Sequence, residues 1–274
     1  MKPPPFDYVA ARSVPDAIGL LADGGEDAKV LAGGQSLLPL LNMRLSRPSL
    51  LVDVNRIPEL ELVHVDGEVR LGATARQADV LASRAVRAAL PLLTEALAHV
   101  GHAVTRSRGT IGGSLAHADP AAELPAVMLA LEGAITATSP RGERTIGAEE
   151  LISGPFATDL APDELLTSVA VARQPERPFG FAELSRRHGD FALAGAVVLL
   201  EPARVVVFGV EGSATRRRDA EAALDDRADA GEVAELAARE LDAVFDVHAD
   251  GDYRRRVANV LVRRAVERAR AVRG

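Results

Sequence analysis

The sequence contains no cysteine. That absence excludes disulfides, thiolate zinc sites, cysteine-held iron–sulfur clusters and a cysteine nucleophile anywhere in this chain. Tryptophan is also missing and aromatic residues make up only 3%, so any core must be built mainly from Ala, Val and Leu. No stretch approaches the ~18 uninterrupted apolar residues that a membrane span needs. The start, MKPPPFDYVA, has no apolar signal core, so the expectation is a cytoplasmic chain with no membrane span. There is no G-x-G-x-x-G opening a strand–helix unit and no G-x-x-x-x-G-K-[ST], so neither a Rossmann dinucleotide site nor a P-loop is supported. No repeat of ~20 to 50 residues is evident, which argues against a solenoid or propeller.

What is present is ordinary globular material. The 274 residues are 47% hydrophobic and 26% charged, and the length suggests two or three compact units. A net charge of −7 gives no global pull toward nucleic acid or anionic lipid. The late arginines, Arg254 to Arg256 and Arg263, Arg264, Arg268, Arg270 and Arg273, lie on a predicted helix over Tyr253 to Arg273 with an apolar stripe of Val257, Val260 and Leu261. They read as a solvated helix face, because no aromatics are interleaved for base stacking.

Periodicity divides the chain. Ser13 and Asp16 resemble a capping box, and Val14, Ala17, Ile18 and Leu21 form one helical face that Gly24 and Gly25 end. Lys29 to Leu31 and Leu50 to Val54 read as strands around an apolar segment, Leu37 to Leu45. A boundary is expected near Arg56. The next block has a strand at Glu68 to Gly72, a helix cap at Thr74 and Gln77, and a helix face of Leu92, Leu93, Ala96, Leu97 and Val100. A helix-like Leu124 to Leu131, a hairpin of Ala134 to Thr138 with Glu143 to Ile146, and a strand at Leu165 to Ala172 follow. Gln174 to Pro178 reads as a linker. Beyond it, strands at Phe179 to Ser185 and Arg204 to Val210 flank an Ala/Val/Leu-rich segment, Phe191 to Leu200, and the rest is helical.

Two glycine pairs carry the chemistry. Ala32-Gly33-Gly34 and Ile111-Gly112-Gly113 each end an apolar run and are each followed within two residues by serine. Glycine lets backbone approach a ligand closely, so that consecutive amides can converge on phosphate oxygens. Ser36, Thr110 and Ser114 add hydroxyl donors, and two such loops facing one another would hold a pyrophosphate. Either pair alone reads equally as an ordinary turn. On this reading a β-branched residue at Gly33 or Gly113 blocks only the ligand and leaves the fold intact. His99 and His102, spaced i, i+3, lack an evident third metal ligand, and no metal site is expected.

AGGQSLLPLL at 32 to 41 and GTIGGSLAHADPAAELP at 109 to 125 together resemble the FAD-binding medium subunit of the molybdenum hydroxylases, the group that includes carbon monoxide and xanthine dehydrogenases. RRHGDFALAG at 186 to 195 and YRRRVANVLVRRA at 253 to 265 resemble the family's C-terminal domain, so the likeness covers essentially the whole chain. It implies an α+β fold: a small N-terminal α/β subdomain (1–57), a larger middle α+β subdomain with a mixed or antiparallel sheet (58–173), and a C-terminal domain with a three-stranded antiparallel sheet and helices (174–274).

The resemblance implies FAD extended between the first two parts. Lys29, Val30, Leu31, Ala32, Gly33, Gly34, Gln35, Ser36 and Leu37 would wrap the pyrophosphate, and Thr110, Ile111, Gly112, Gly113 and Ser114 would close the other side. Asp119 and Glu123 would accept ribityl or ribose hydroxyls as ionised carboxylates, and the backbone of Leu160 would contact the flavin ring. Gln35 stands where several relatives carry His, removing the imidazole that distant flavin oxidases use for covalent attachment, so non-covalent FAD is expected. Phe191 stands where many relatives place Tyr against the ring. Where some relatives present Lys to the flavin, this chain has Ala182 and Glu183.

The implied function is electron transfer. A small subunit with [2Fe–2S] clusters and a large molybdopterin subunit would be the partners, in a dimer of heterotrimers. The acceptor would be a quinone, NAD, a carrier protein or oxygen. A free-standing flavin oxidoreductase of similar fold and a non-enzymatic interaction domain are the alternatives.

Overall fold

The computed structural model describes residues 2–272. The N-terminal part is a three-stranded parallel sheet, β1 (Asp7–Ala10), β2 (Ala28–Leu31) and β3 (Leu50–Asp53), with β3 in the centre. Strand β1 is not legible in the Pro-rich start. Helix α1 (Val14–Gly24) begins where Ser13 Oγ accepts from the Asp16 amide at 3.2 Å, and the Asp16 carboxylate accepts from the Arg12 amide at 2.8 Å. Gly25 ends it at φ +53°, a conformation that costs glycine little. Ala17, Ile18 and Leu21 bury against Val52, Val54, Ile57 and Leu60, and Leu165 joins this core from the middle of the chain. The short helix α2 (Leu37–Asn42) follows β2.

The middle part holds a five-stranded antiparallel sheet formed by β4 (Val63–Val65), β5 (Glu68–Gly72), β6 (Ala134–Ser139), β7 (Gly142–Gly147) and β10 (Leu165–Ala172), in the order β4-β5-β10-β6-β7. Between β5 and β6 run six helices: α3 (Gln77–Ala82), α4 (Arg84–Ala89), α5 (Pro91–His99), α6 (Ala103–Arg108), α7 (Ile111–His117) and α8 (Glu123–Ala130). Between β7 and β10 lie α9 (Ala148–Leu151) and a two-stranded ribbon, β8 (Ile152–Gly154) with β9 (Ala157–Thr158). Helix α8 is buried along its whole length, which explains its lack of a polar face. Thr74 is not a helix cap as expected. The helix starts at Gln77, with Arg76 in the cap position, and Thr74 is a buried turn residue whose hydroxyl has no partner among the described residues.

The C-terminal part is a four-stranded antiparallel sheet rather than the expected three: β11 (Phe179–Ser185), β12 (Ala192–Leu199), β13 (Arg204–Phe208) and the two-residue β14 (Thr215–Arg216). The Ala/Val/Leu-rich segment is the strand β12 itself. All eight of its residues are buried, because both faces are covered. Phe181, Val197, Leu199 and Phe208 pack into the core of the middle part, while Ala194, Ala196 and Val198 pack against α10 (Arg218–Asp225), α11 (Ala230–Ala238) and α12 (Gly251–Val272). Residues 174–178 are not a free linker: the Gln174 amide donates to Ala89 O at 2.9 Å, and Arg177 Nε to Leu200 O at 3.0 Å.

The last helix departs from the sequence reading. Its buried stripe is Ala258, Leu261, Val262, Ala265, Val266 and Ala269, so Leu261 is in the seam as expected, while Val257 only borders it and Val260 is replaced by alanines, Val262 and Val266. Arg254, placed on the solvated face by the sequence, is 3% exposed. It donates to Leu193 O at 2.6 Å and Gly209 O at 2.7 Å and pairs with Asp246 at 2.6 Å. Arg273 lies outside the described residues.

Candidate functional site

Strand β2 carries Lys29, Val30 and Leu31 in parallel register with Leu51, Val52 and Asp53. The chain then turns through Ala32, Gly33, Gly34, Gln35 and Ser36 into α2, whose first residue is Leu37. Gly34 sits at φ +68°, and the Gln35 amide side chain donates to Gly33 O at 3.1 Å. Among the described residues, the backbone amides of Gly33, Gly34, Gln35 and Ser36 have no protein acceptor, and Ser36 Oγ makes no capping bond. Four successive amides without a protein acceptor, beside a left-handed glycine, are the kind of backbone from which anion sites are built.

The second glycine pair is not the open loop expected. Thr110 caps α7, and Ile111, Gly112 and Gly113 form its first turn. Every amide there is taken: Ile111 by Ala75 O, Gly112 by Ala73 O, Gly113 by Thr110 Oγ1 and Ser114 by Thr110 O, at 2.9 to 3.2 Å. What this segment leaves for a ligand, among the described residues, is the Ser114 hydroxyl and the Thr110 amide. Glycine is required at 112 because a Cβ would meet Ala73 at 2.7 Å.

The two segments do face one another. A Cβ on Gly113 would stand 3.7 Å from Ala32 Cβ, and one on Gly33 would lie 2.4 Å from Arg108 O. Gly33 therefore serves backbone-to-backbone packing, and a Cβ on Gly113 would crowd the capping Thr110 hydroxyl at 2.6 Å, so the expectation that a β-branched residue at either position blocks only the ligand is corrected.

Two residues not anticipated from the sequence join these segments. Asn55 Nδ2 donates to Ala32 O at 2.9 Å and to Asp53 Oδ1 at 2.7 Å. Arg76 donates through Nη2 to Asn55 Oδ1 at 2.7 Å and through Nη1 to Arg108 O at 2.6 Å. The chain Ala32–Asn55–Arg76–Arg108 thus bolts the first glycine loop to the approach to the second. Its only trace in the sequence is a polar residue immediately after a buried strand.

Beyond α7 the surroundings turn acidic and enclosed. Ala118 adopts φ +47°, and its carbonyl accepts from Phe156 N at 3.2 Å. The His117 ring lies 5.3 Å from that of Phe156, and burial, with Lys29 nearby, lowers its pKa. Asp119 Oδ1 accepts from the Ala121 amide at 2.9 Å, yet burial raises its pKa. Glu123 opens α8 at 5% exposure; burial, with the charge of Glu183 adding to it, pushes its carboxyl up to about 8. Burial thus shifts Glu123 toward the protonated form, which donates as well as accepts.

Leu160 is held by its neighbours. Arg144 donates to both oxygens of Glu164 at 2.8 Å, to Asp159 Oδ2 at 2.8 Å and to Asp159 O at 2.5 Å, while Glu164 Oε2 accepts from Ala161 N at 2.8 Å. The amide and carbonyl of Leu160 itself have no partner among the described residues.

Phe191 lies at the end of the loop leading into β12 and is 62% exposed. The loop is fixed by Ser185 Oγ donating to Arg187 O at 2.8 Å and by Gly189 at φ +87°, where a Cβ would stand 2.6 Å from the His102 ring. His99 and His102 diverge: His99 faces Glu183 at 3.4 Å, and His102 lies edge-on to His188.

The free loop amides, the serine hydroxyls, the buried acids and an aromatic side chain without a stacking partner fit an elongated cofactor with an anionic centre. The family described as the FAD binding domain in molybdopterin dehydrogenase matches residues 4–173, and the CO dehydrogenase flavoprotein C-terminal domain matches residues 179–269. The chain is 47% identical to the 6-hydroxypseudooxynicotine dehydrogenase complex subunit alpha of Paenarthrobacter nicotinovorans, over 98% of this chain and 96% of that one. It is 40% identical to the nicotine 6-hydroxylase medium subunit of the same organism, over 99% of both. Among solved structures it resembles carbon monoxide dehydrogenase from Hydrogenophaga pseudoflava lacking the Mo-pyranopterin moiety of its molybdenum cofactor, with TM-score 0.95, 36% identity and 99% of both chains covered. Two family signatures in their proper order, with relatives matched end to end, carry one conclusion: the chain belongs to the FAD-binding medium subunits of the molybdenum hydroxylases.

Proposed function

We propose that this chain binds FAD non-covalently and serves as the electron-transfer subunit of a cytoplasmic molybdenum-containing hydroxylase or dehydrogenase. The observation that carries this reading is the run of four free amides at Gly33 to Ser36, placed against the Thr110–Ser114 segment by the Asn55–Arg76 bridge. In it the amides hold the pyrophosphate, and Ser36 and Ser114 donate hydroxyl hydrogens to it. Asp119 and Glu123 hold the sugar and ribityl hydroxyls. The backbone of Leu160, steadied by Arg144 and Glu164, and the ring of Phe191 orient the isoalloxazine. Gln35 replaces the imidazole that a covalent link would use.

FAD, when bound, supplies the redox chemistry, accepting electrons singly from an iron–sulfur donor and passing them to an external acceptor. The protein's part is to bind, orient and electrostatically tune it. A chain without cysteine must receive its iron–sulfur relay on another polypeptide, so a small [2Fe–2S] subunit and a large molybdopterin subunit complete the assembly, a dimer of heterotrimers. The 1–57, 58–173 and 174–274 divisions serve as two cofactor-gripping parts and a third that covers the ring. Relatives named for nicotine and for carbon monoxide resemble this chain along its length, which supports a substrate chosen in the large subunit. The acceptor is a quinone, NAD, a carrier protein or oxygen.

The test is co-purification from the native host through a tag on this chain, followed by metal analysis. Stoichiometric molybdenum and iron support the reading; a chain recovered alone and turning over substrate by itself supports a free-standing flavin oxidoreductase instead.

A further inference from the structure

The most unusual electrostatic feature lies behind Glu123, where the middle and C-terminal parts meet. Strand β11 delivers Glu183 into this junction with its side chain 6% exposed. Glu183 Oε1 faces His99 Nδ1 of α5 at 3.4 Å, while Oε2 is enclosed and has no hydrogen-bond partner among the described residues. Glu123 stands within electrostatic reach of both, and Asp119 adds a further carboxylate. On the far side, the Phe181 ring lies 5.0 Å from the His99 ring and closes the cluster with carbon. The strand is held there by backbone contact: a Cβ on Gly180 would lie 1.9 Å from Ala265 O of α12.

An enclosed carboxylate oxygen without a donor is costly to the fold. Here one buried carboxyl group faces a half-buried imidazole, and a second, Glu123, lies within electrostatic reach of it. The other charged groups nearby are committed elsewhere or add little positive charge. Arg268 binds Glu95 at 2.7 Å, and Lys29 and Asp119 act on His117. His99 reaches water at its outer edge, with 39% of its side chain exposed, so the cluster has a path to solvent.

We propose that His99, Glu183 and Glu123 form a proton-sharing cluster whose proton occupancy follows the charge on the cofactor. This rests on the reading above, in which Glu123 borders bound FAD. Electrons delivered by a partner's iron–sulfur donor add negative charge to the cleft. In response the pair takes up one proton from solvent through the exposed edge of His99, and the imidazolium so formed is held against Glu183 Oε1. No carbon bond changes, and the net uptake is one proton from solvent. Glu183 is thus a positioning residue for charge, not a group that reacts with substrate.

Two measurements separate this idea from the FAD reading. The first uses the cofactor-free chain: the His99 ring proton is followed by NMR from pH 5 to 9. In wild type its titration midpoint lies above that of an ordinary histidine, the direction set by Glu183, and Glu183→Gln lowers it. An unchanged midpoint in Glu183→Gln overturns the cluster. The second uses the FAD-loaded chain: the flavin midpoint potential is measured against pH in wild type, Glu183→Gln and His99→Asn. Loss in both variants of a slope change present in wild type supports the coupling; identical profiles in all three overturn it. A chain that never takes up FAD defeats the FAD reading and the coupling together, while the first measurement still decides whether the cluster exists. Should Glu183→Gln fail to fold, His99→Asn decides the second.

Discussion

Arg76 Nη2 donates to Asn55 Oδ1 at 2.7 Å, and through that pair the carbonyls of Ala32 and Arg108 are tied together without any ligand. The cleft is therefore organised in advance, which lowers the ordering cost of binding. Hydrogen bonds to charged groups contribute about 1.5–3 kcal/mol each. Arg76→Ala or Asn55→Ala is accordingly expected to weaken FAD affinity about tenfold to a hundredfold, with far-UV circular dichroism unchanged. Fluorescence-quench titration of FAD measures it, and unaltered affinity in both variants contradicts the bridge.

Gly33 and Gly67 make a matched pair. A Cβ at 33 would stand 2.4 Å from Arg108 O, whereas at 67 nothing lies within 4 Å. Gly33→Ala should destabilise the cofactor-free chain by about 1–3 kcal/mol, and Gly67→Ala should stay within about 0.5 kcal/mol. Urea melts of the two variants without FAD check both values. Equal stability at both positions would show that the close approach of Gly33 to Arg108 is relaxed in solution.

Buried acids set a pH dependence. Burial raises Glu123 to about 8, and the neighbouring Glu183 raises His99, so both are more readily protonated in the folded chain than in the unfolded one. The stability each contributes is fully present below its unfolded pKa and lost as pH rises through its folded pKa. Stability of the cofactor-free chain should therefore fall between about pH 5 and pH 8 through Glu123, and Glu123→Gln should flatten that decline. His117, lowered by burial, acts in the opposite sense near its own titration. A Tm-versus-pH series on wild type and Glu123→Gln reads the difference.

Arg254 and Arg264 separate a structural arginine from a solvated one. Arg254 is buried and holds Leu193 O, Gly209 O and Asp246, while Arg264 on the same helix is exposed. Arg254→Ala leaves two inner carbonyls without their donor and should cost about 3 kcal/mol or more; Arg264→Ala should cost no more than about 0.5 kcal/mol. Chemical denaturation of both variants decides it.

Much of this was legible in the sequence where one face repeats. The Ala17, Ile18, Leu21 face of α1 and the hairpin of β6 and β7 follow from periodicity and turn residues. Strand β12 was not, because burial on both faces erases any period, and α12 showed only Leu261 of its stripe because alanines fill half of the seam. At the site, the glycine pairs marked the right places. Their amides differ because Gly33 to Ser36 lie in a turn, whereas Thr110 and the Ala73 and Ala75 carbonyls occupy those of the second pair. Asn55 and Arg76 were invisible since their bond spans 21 residues and neither carries a motif.

The most direct test of the account is flavin binding by the chain itself. The purified protein, incubated with FAD and freed of excess by gel filtration, should retain one FAD per chain, show the flavin absorption bands, and release the flavin intact on acid denaturation. A folded chain that stays colourless, or that keeps its flavin attached after denaturation, would contradict the non-covalent cradle built from Gly33 to Ser36.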